Sequence, residues 1–198
     1  NKCNIECKFC YNYGELNQIP PVGEGMWEIG GTKFYEKDID LLLSVYRKPT
    51  GVSYVYLEPF MEIEKYYSII RRFKEAKVYQ HLYTNGLLAT EETLKALGEA
   101  GLDEIRFNLG AANCADQVIR NIKIAKKYIR TVVIETPMTP SLFDAFIKKK
   151  EMILDTGLDF INCAELHLNE NNIGNYEGEN MYIARHGYIS PIWSRELT

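Results

Sequence analysis

From about residue 35 onward, apolar residues follow two alternating patterns along the chain. Longer stretches with apolar residues at helical spacing predict helices over residues 35–48, 61–76, 89–101, 114–129 and 141–157. Short runs rich in β-branched and aromatic residues predict strands over residues 52–59, 77–86, 102–110, 130–137 and 158–168. Strands separated by helices of this length indicate βαβ units and a parallel sheet, either open or closed as a barrel.

Polar residues and glycines mark several helix ends. Thr90 predicts a capping box with Thr93, which stands one residue short of the ideal acidic position, and Gly101 closes the same helix. Ser141 is the predicted N-cap of the last helix.

The predicted strand ends carry polar side chains at corresponding positions. They are Glu58, Thr84-Asn85-Gly86, Asn108, Glu135, and Glu165 or His167. A parallel barrel places its chemistry on the loops at the carboxyl ends of its strands, so this pattern indicates a functional site at that edge. The alternative is that each residue caps the helix that follows its strand.

Composition and charge narrow the function classes. The 198 residues are enough for one domain with a sizeable core, and a net charge of −4 gives no basic excess for nucleic acid or an anionic membrane. Neither an apolar run of 18 residues nor a signal-peptide pattern is present, so we expect a cytoplasmic protein with no membrane association. Because thiols stay reduced there, clustered cysteines favour metal binding or catalysis over disulfides.

Three of the five cysteines, Cys3, Cys7 and Cys10, fall within eight residues at the start of the chain. A structural zinc site needs four ligands, usually as two separated pairs. Cys114 and Cys163 are remote, and the spacing requires no histidine as a fourth ligand, although one could supply it. Three cysteines can also hold an iron–sulfur cluster with one iron left open to a small molecule.

The stretch "CNIECKFC" resembles the Cys-x3-Cys-x2-Cys loop of the radical S-adenosylmethionine (radical SAM) superfamily, including the aromatic Phe9 before the last cysteine. The resemblance implies a partial (β/α)6 TIM-like barrel whose first strand would precede Asn1, so the five predicted strands would be the second to sixth. It covers residues 1–168 as the core. Residues 169–198 would form a polar C-terminal extension or lid.

The resemblance also implies the site residues. Cys3, Cys7 and Cys10 match the ligands of a [4Fe–4S] cluster, whose open iron binds the amino and carboxylate groups of S-adenosylmethionine. The positions that match other contacts to that cofactor are Phe9 and Tyr11 near adenine, Glu58 and Thr84 at the methionine end, and Asn108 and Glu135 at the ribose.

The chain departs from the family pattern in two places. Tyr56 and Leu57 replace the two glycines of the family's Gly-Gly-Glu-Pro motif, where glycine permits close backbone approach. The family's sixth-strand glycine motif is not evident, which leaves Cys163, Ala164 and Glu165 as candidates beside the adenine.

The implied mechanism is reductive cleavage of S-adenosylmethionine. An external electron donor of the flavodoxin or ferredoxin type reduces the cluster, and the resulting 5′-deoxyadenosyl radical abstracts a hydrogen atom from the substrate. The competing interpretation is a non-catalytic module that uses the cysteines for electron transfer or for zinc.

The sequence does not identify the substrate, which could be a small molecule, a peptide or a protein. "HLYTNGLL" and "AGLDEIRFNL" are similar to segments of proteins related to pyruvate formate-lyase activating enzymes. The candidates for substrate contacts are His167, Asn169, Arg185, His186 and Arg195.

Overall fold

The computed structural model describes residues 2–16, 22–45, 51–55 and 57–198. Its strands are β1 (Met26–Ile29), β2 (Thr32–Tyr35), β3 (Gly51–Tyr54), β4 (Tyr79–Thr84), β5 (Glu104–Phe107), β6 (Thr131–Pro137), β7 (Phe160–Ala164), β8 (Met181–Ile183) and β9 (Ile189–Pro191). Its α-helices are α1 (Ile39–Val45), α2 (Tyr66–Glu75), α3 (Glu91–Ala100), α4 (Asp116–Ala125), α5 (Pro140–Lys148), α6 (Lys150–Leu154) and α7 (Ile192–Glu196). Single 3₁₀ turns span Glu36–Asp38, Pro59–Met61, Ile63–Lys65 and Ile173–Tyr176.

Strands β3 to β7 form one parallel sheet in sequential order. Each connection between neighbouring strands contains at least one α-helix, as a parallel pairing requires. The parallel α/β fold class is therefore confirmed. All five predicted strands are present, although each is shorter than its sequence pattern.

The two faces of this sheet differ in chemistry. Leu82, Ile105, Phe107 and Ile134 are fully buried in the core beneath the helices. Successive side chains of a strand point to opposite faces, so their neighbours in the chain line the other face. That second face is polar and carries His81, Tyr83, Glu104, Arg106 and Glu135.

The prediction of one helix over residues 141–157 is wrong in two details. The helix is divided into α5 and α6 at Lys149, and its N-cap is Thr139 rather than Ser141. The Thr139 hydroxyl accepts from the backbone N–H of Leu142 at 3.3 Å. Pro140 follows at the first helical position, where its missing N–H costs nothing.

Two antiparallel hairpins were not predicted. β1 pairs with β2 before the parallel sheet, and β8 pairs with β9 after it. The hairpin strands have three or four residues each, too few for a clear alternation of apolar and polar residues.

The end of the helix predicted over 35–48, and Tyr56, lie outside the described residues. No helix in the described ranges is long and apolar enough to cross a membrane.

Candidate active site

The cluster loop, which we define as residues 2–16, lies beside the carboxyl ends of β3 and β4. The backbone carbonyl of Lys2 accepts from the N–H of Glu58 at 3.1 Å. The side chain of Asn4 accepts from the amide of Asn85 at 2.7 Å. These contacts bring the three cysteines to the edge of the sheet at which parallel α/β proteins place their chemistry.

Short-range hydrogen bonds fold the loop around its last two cysteines. The N–H of Cys10 donates to the carbonyl of Cys7 at 2.9 Å, which closes a tight turn. The N–H of Asn12 then lies 3.4 Å from Cys10 Sγ, and the N–H of Gly14 donates to Glu6 Oε1 at 3.0 Å. All three loop cysteines are free thiols of intermediate burial.

The local environment disfavours the thiolates of Cys3 and Cys7 unless a cation is bound. The pKa of Cys7 is raised to about 12, chiefly by burial and then by the neighbouring Cys10 and Cys3. Burial is also the main cause of the raised pKa of Cys3, and Glu58 and Cys10 add to it. Iron bound at the sulfurs would offset burial and mutual repulsion, because a coordinating thiol is held deprotonated by the metal.

No group of His, Cys, Asp or Glu side chains in the described ranges is arranged around a single metal ion. In a [4Fe–4S] cluster each cysteine ligand binds a different iron. The donor set of three soft thiolates on one loop therefore fits a [4Fe–4S] cluster better than a four-ligand zinc site.

Glu58 lies at the centre of the contacts beneath the loop. It is 4% exposed. Its Oε1 accepts from the hydroxyl of Thr84 at 2.8 Å and from the N–H of Phe60 at 3.1 Å, and its Oε2 accepts from the N–H of Asn85 at 2.7 Å. Burial raises the pKa of Glu58 and these donors partly oppose the shift. Oε2 retains capacity for a further donor.

Leu57 adopts a left-handed backbone conformation, with φ of 57°. It occupies the position of a glycine in the family motif, and left-handed φ is costly for a residue with a Cβ. The backbone geometry that glycine would permit is thus adopted here by leucine, directly before Glu58.

Asn108 contacts the turn after β5 and the end of β6. Its N–H donates to the carbonyl of Thr84 at 2.8 Å, and its side-chain oxygen accepts from the hydroxyl of Thr136 at 3.0 Å and from the N–H of Ala111 at 3.1 Å. The side chain therefore stabilises the turn while it lies at the same edge as Thr84 and Glu58.

Glu135 lies on the polar face of the sheet and pairs with Arg106, a contact that the sequence did not suggest. The Arg106 guanidinium also donates to Glu104, and the Tyr83 hydroxyl donates to Glu135 at 3.1 Å. His81 shares this face, and burial lowers its pKa, so its imidazole is neutral at neutral pH. A compact set of ionised and aromatic groups therefore lines the polar face.

Residues 169–175, here called the asparagine segment, hold the far side of the cluster loop. Four side-chain amides donate to backbone carbonyls of the loop: Asn169 (3.0 Å) and Asn171 (2.8 Å) to Tyr11, Asn172 (3.0 Å) to Phe9, and Asn175 (2.9 Å) to Lys8. Sequence reasoning missed this role, although four asparagines within seven residues were a visible signal.

The other candidates for substrate contacts are dispersed. His167 stacks on Tyr188, with ring centroids 4.7 Å apart, and Arg195 lies over the ring of Tyr182. Arg185 and His186 are exposed in the turn between β8 and β9. Of the three candidates beside the adenine, Cys163 and Ala164 end β7, and Glu165 follows them and accepts from the Tyr182 hydroxyl.

A protein-family model described as the Radical SAM superfamily matches residues 1–149 of this chain. The chain belongs to the radical SAM superfamily. Members of this family use a [4Fe–4S] cluster and S-adenosylmethionine, so the two expected cofactors are those of the family.

Two proteins of Methanocaldococcus jannaschii are similar in sequence to this radical SAM chain. One, provisionally named a glycyl-radical enzyme activating enzyme, is 32% identical over 131 residues, which cover 62% of this chain and 35% of that protein. The other is named an uncharacterized protein and is 29% identical over 143 residues, covering 67% of this chain and 43% of that protein. The chain therefore spans less than half the length of either relative.

Solved structures confirm the radical SAM fold. Streptococcus suis SuiB bound to S-adenosylmethionine superposes with a TM-score of 0.62 at 14% identity, covering 86% of this chain and 40% of that one. Native anSMEcpe with bound AdoMet gives 0.53 at 18% identity, with coverages of 85% and 50%.

Proposed function

We propose that this chain is the core of a radical SAM enzyme whose [4Fe–4S] cluster is bound by Cys3, Cys7 and Cys10. The observation that carries the proposal is the position of the three-cysteine loop beside the buried Glu58, at the carboxyl edge of a parallel sheet. Held by these three cysteines, the cluster would supply the one electron needed for reductive cleavage of S-adenosylmethionine.

In this proposal Glu58 binds the amino group of S-adenosylmethionine. Its Oε2 accepts from the N–H of Asn85 and has capacity for an ammonium donor. A charge-assisted bond of this kind contributes about 2 kcal/mol when it is desolvated. The Thr84 hydroxyl donates to Oε1 of Glu58 and so orients the Glu58 carboxylate. In this proposal Thr84 acts at the methionine end by positioning Glu58.

The remaining cofactor contacts are proposed on the same edge. Phe9 and Tyr11 flank Cys10 in the cluster loop, and the adenine is proposed to lie against this part of the loop. The carbonyl of Tyr11 already accepts two asparagine amides, whereas that of Phe9 accepts one and retains a lone pair. Asn108 directly follows β5, Glu135 lies near the carboxyl end of the neighbouring β6, and both are proposed to contact the ribose. Glu135 would do so while paired with Arg106.

The proposed reaction is hydrogen abstraction from a substrate that lies over the polar face of the sheet, with reducing electrons from an external flavodoxin or ferredoxin. The name of the 32%-identical relative favours a protein substrate, because a glycyl-radical activating enzyme acts on a partner enzyme. A small molecule or free peptide remains the alternative substrate class.

Anaerobic reconstitution tests the proposal. We expect about four irons per chain, a spectrum that changes on addition of S-adenosylmethionine, and 5′-deoxyadenosine after reduction with dithionite. Cys7→Ala should abolish the product, whereas Cys114→Ala, which alters a core thiol away from the loop, should retain it.

Three outcomes would contradict the proposal. Product formation that survives Cys7→Ala would show that the cluster ligands are misassigned. Colourless protein loaded with zinc would support the structural metal site. An iron protein whose spectrum ignores S-adenosylmethionine would support a simple electron carrier.

A further inference from the structure

The peptide unit that joins Tyr11 to Asn12 is hydrogen-bonded on both of its sides. Its carbonyl oxygen accepts from Asn169 Nδ2 at 3.0 Å and from Asn171 Nδ2 at 2.8 Å, which uses both lone pairs. Its N–H lies 3.4 Å from Cys10 Sγ. Because the carbonyl and N–H of a trans peptide point in opposite directions, the two amides that hold the oxygen also direct the N–H toward the sulfur.

The first of these two amide donors, Asn169, is itself fixed in place. The Oδ1 of Asn169 accepts from the backbone N–H groups of Asn171 and Asn172, both at 3.2 Å. The Oδ1 of Asn172 accepts in return from the N–H of Asn169 at 2.9 Å, and Asn172 is fully buried. Reciprocal bonds of this kind orient the side chains before any ligand binds, so the segment acts as a preformed unit.

An N–H donor to a ligand sulfur affects the electron affinity of an iron–sulfur cluster. Reduction adds negative charge to the cluster and its sulfurs, and a hydrogen bond stabilises the more negative state, which raises the reduction potential. Amides that donate to the carbonyl of the same peptide polarise its N–H and strengthen that bond. All of these donors are neutral amide groups, and that of Asn171 also donates to Glu15 Oε2 at 3.1 Å.

We propose that Asn169 and Asn171 are positioning residues that raise the reduction potential of the cluster by holding the N–H of Asn12 on Cys10 Sγ. The inference rests on the proposed function in one respect, since Cys10 must be a cluster ligand. It adds a role for residues 169–171, which follow the matched family region and lie far from the cysteines in the sequence.

Asn175 provides a matched control within the same segment. Its amide also donates to a cluster-loop carbonyl, that of Lys8, at 2.9 Å. The N–H of that peptide belongs to Phe9, which is not the donor to Cys10 Sγ. Removing Asn175 therefore removes one bond between segment and loop without touching the peptide that donates to the sulfur.

The test compares Asn171→Ala with Asn175→Ala in reconstituted protein without S-adenosylmethionine. Electron paramagnetic resonance during a redox titration gives the ratio of reduced to oxidised cluster. We expect Asn171→Ala to lower that ratio about threefold at a fixed potential, or ~28 mV at 59 mV per decade for one electron. Asn175→Ala should match the wild-type protein.

A second pair, Asn171→Asp and Asn175→Asp, keeps the side-chain shape and adds one negative charge at each position. Both variants also carry Glu15→Gln, which removes the carboxylate that the Asn171 amide contacts. We expect a larger fall in potential for Asn171→Asp, because the lost donor adds to the effect of the charge. This pair also decides the question if Asn171→Ala assembles no cluster. Equal shifts within both pairs, or an unchanged potential in Asn171→Ala with full iron content, would overturn the inference. Wild-type protein that binds no iron would instead refute the proposed function.

Discussion

The cluster loop is held on two sides by groups that differ in charge and burial. Beneath it, the anchor formed by Glu58, Thr84 and Asn85 centres on one buried carboxylate with three donors. On its far side, the asparagine segment uses neutral amides, several of them partly exposed. A buried charge is costly to leave without partners, whereas a neutral amide near solvent is replaced by water at small cost. We therefore expect the anchor to contribute more than the asparagine segment to the free energy of unfolding. The asparagine segment should mainly adjust the conformation of the loop.

The largest effect is expected from Glu58→Ala. It leaves the N–H groups of Phe60 and Asn85 and the hydroxyl of Thr84 without their acceptor in a buried site. We expect a loss of about 3 kcal/mol in the free energy of unfolding, measured by urea denaturation of the cluster-free protein. Glu64→Ala, on an exposed turn nearby, should change it by less than about 0.5 kcal/mol. Similar losses for both variants would remove the distinction between anchor and surface.

Asn172→Ala should have the next largest effect. Asn172 is fully buried, and its side chain donates to Phe9 O and accepts from the N–H of Asn169. Loss of both bonds should destabilise the cluster-free protein by about 1–2 kcal/mol in the same assay. Asn175→Ala removes one partly exposed bond and should cost less than about 0.5 kcal/mol. A cost for Asn172→Ala as large as that of Glu58→Ala would contradict the comparison.

Substitutions at Leu57 test the cost of the left-handed backbone conformation directly before Glu58. At its positive φ, Leu57→Gly should be more stable than Leu57→Ala by about 1 kcal/mol, because alanine keeps the left-handed penalty and glycine does not. Thermal unfolding of the two variants under identical conditions measures the difference. The opposite order, which is usual in helices, would mean that this backbone relaxes at no cost.

The smallest effect expected is a change in the pH dependence of stability. The folded-state pKa of Glu58 is raised, so its contribution to stability is fully present below its ordinary value near 4.5 and declines as pH rises through the folded pKa. The amide introduced by Glu58→Gln does not titrate, and the cost of that substitution should therefore shrink as pH rises above 4.5. Urea denaturation of both proteins between about pH 4 and pH 7 measures this. A cost that grows with pH would mean that the pKa of Glu58 is lowered instead.

Local sequence signals predicted the features that depend on neighbouring residues. The capping box of Thr90 and Thr93 forms as expected, with both reciprocal bonds present, and Gly101 closes α3 in the left-handed conformation. The parallel sheet follows from alternating strand and helix patterns. Thr139 was missed as an N-cap because Ser141 offers the same chemistry two residues later, and only the observed hydrogen bond distinguishes them.

The candidate site was predicted in part. The three cysteines and the polar strand ends were visible because spacing and strand periodicity are properties of the sequence. The ion pair of Arg106 with Glu135 was not, since the two residues meet only through the register of β5 with β6. The asparagine segment follows β7 by a few residues, yet its partners lie about 160 positions earlier in the chain.

The sequence by itself determined the three-cysteine loop, the parallel α/β pattern and the polar residues at the strand ends, because each depends on residue type and short-range spacing. Tertiary structure alone decided which groups hold that loop. Glu58 serves as its buried anchor because β3 and β4 end side by side, and Asn169 and Asn171 reach Tyr11 because the chain returns to the same edge after β7. Contacts of this kind arise from where strands end in space, which no local pattern encodes.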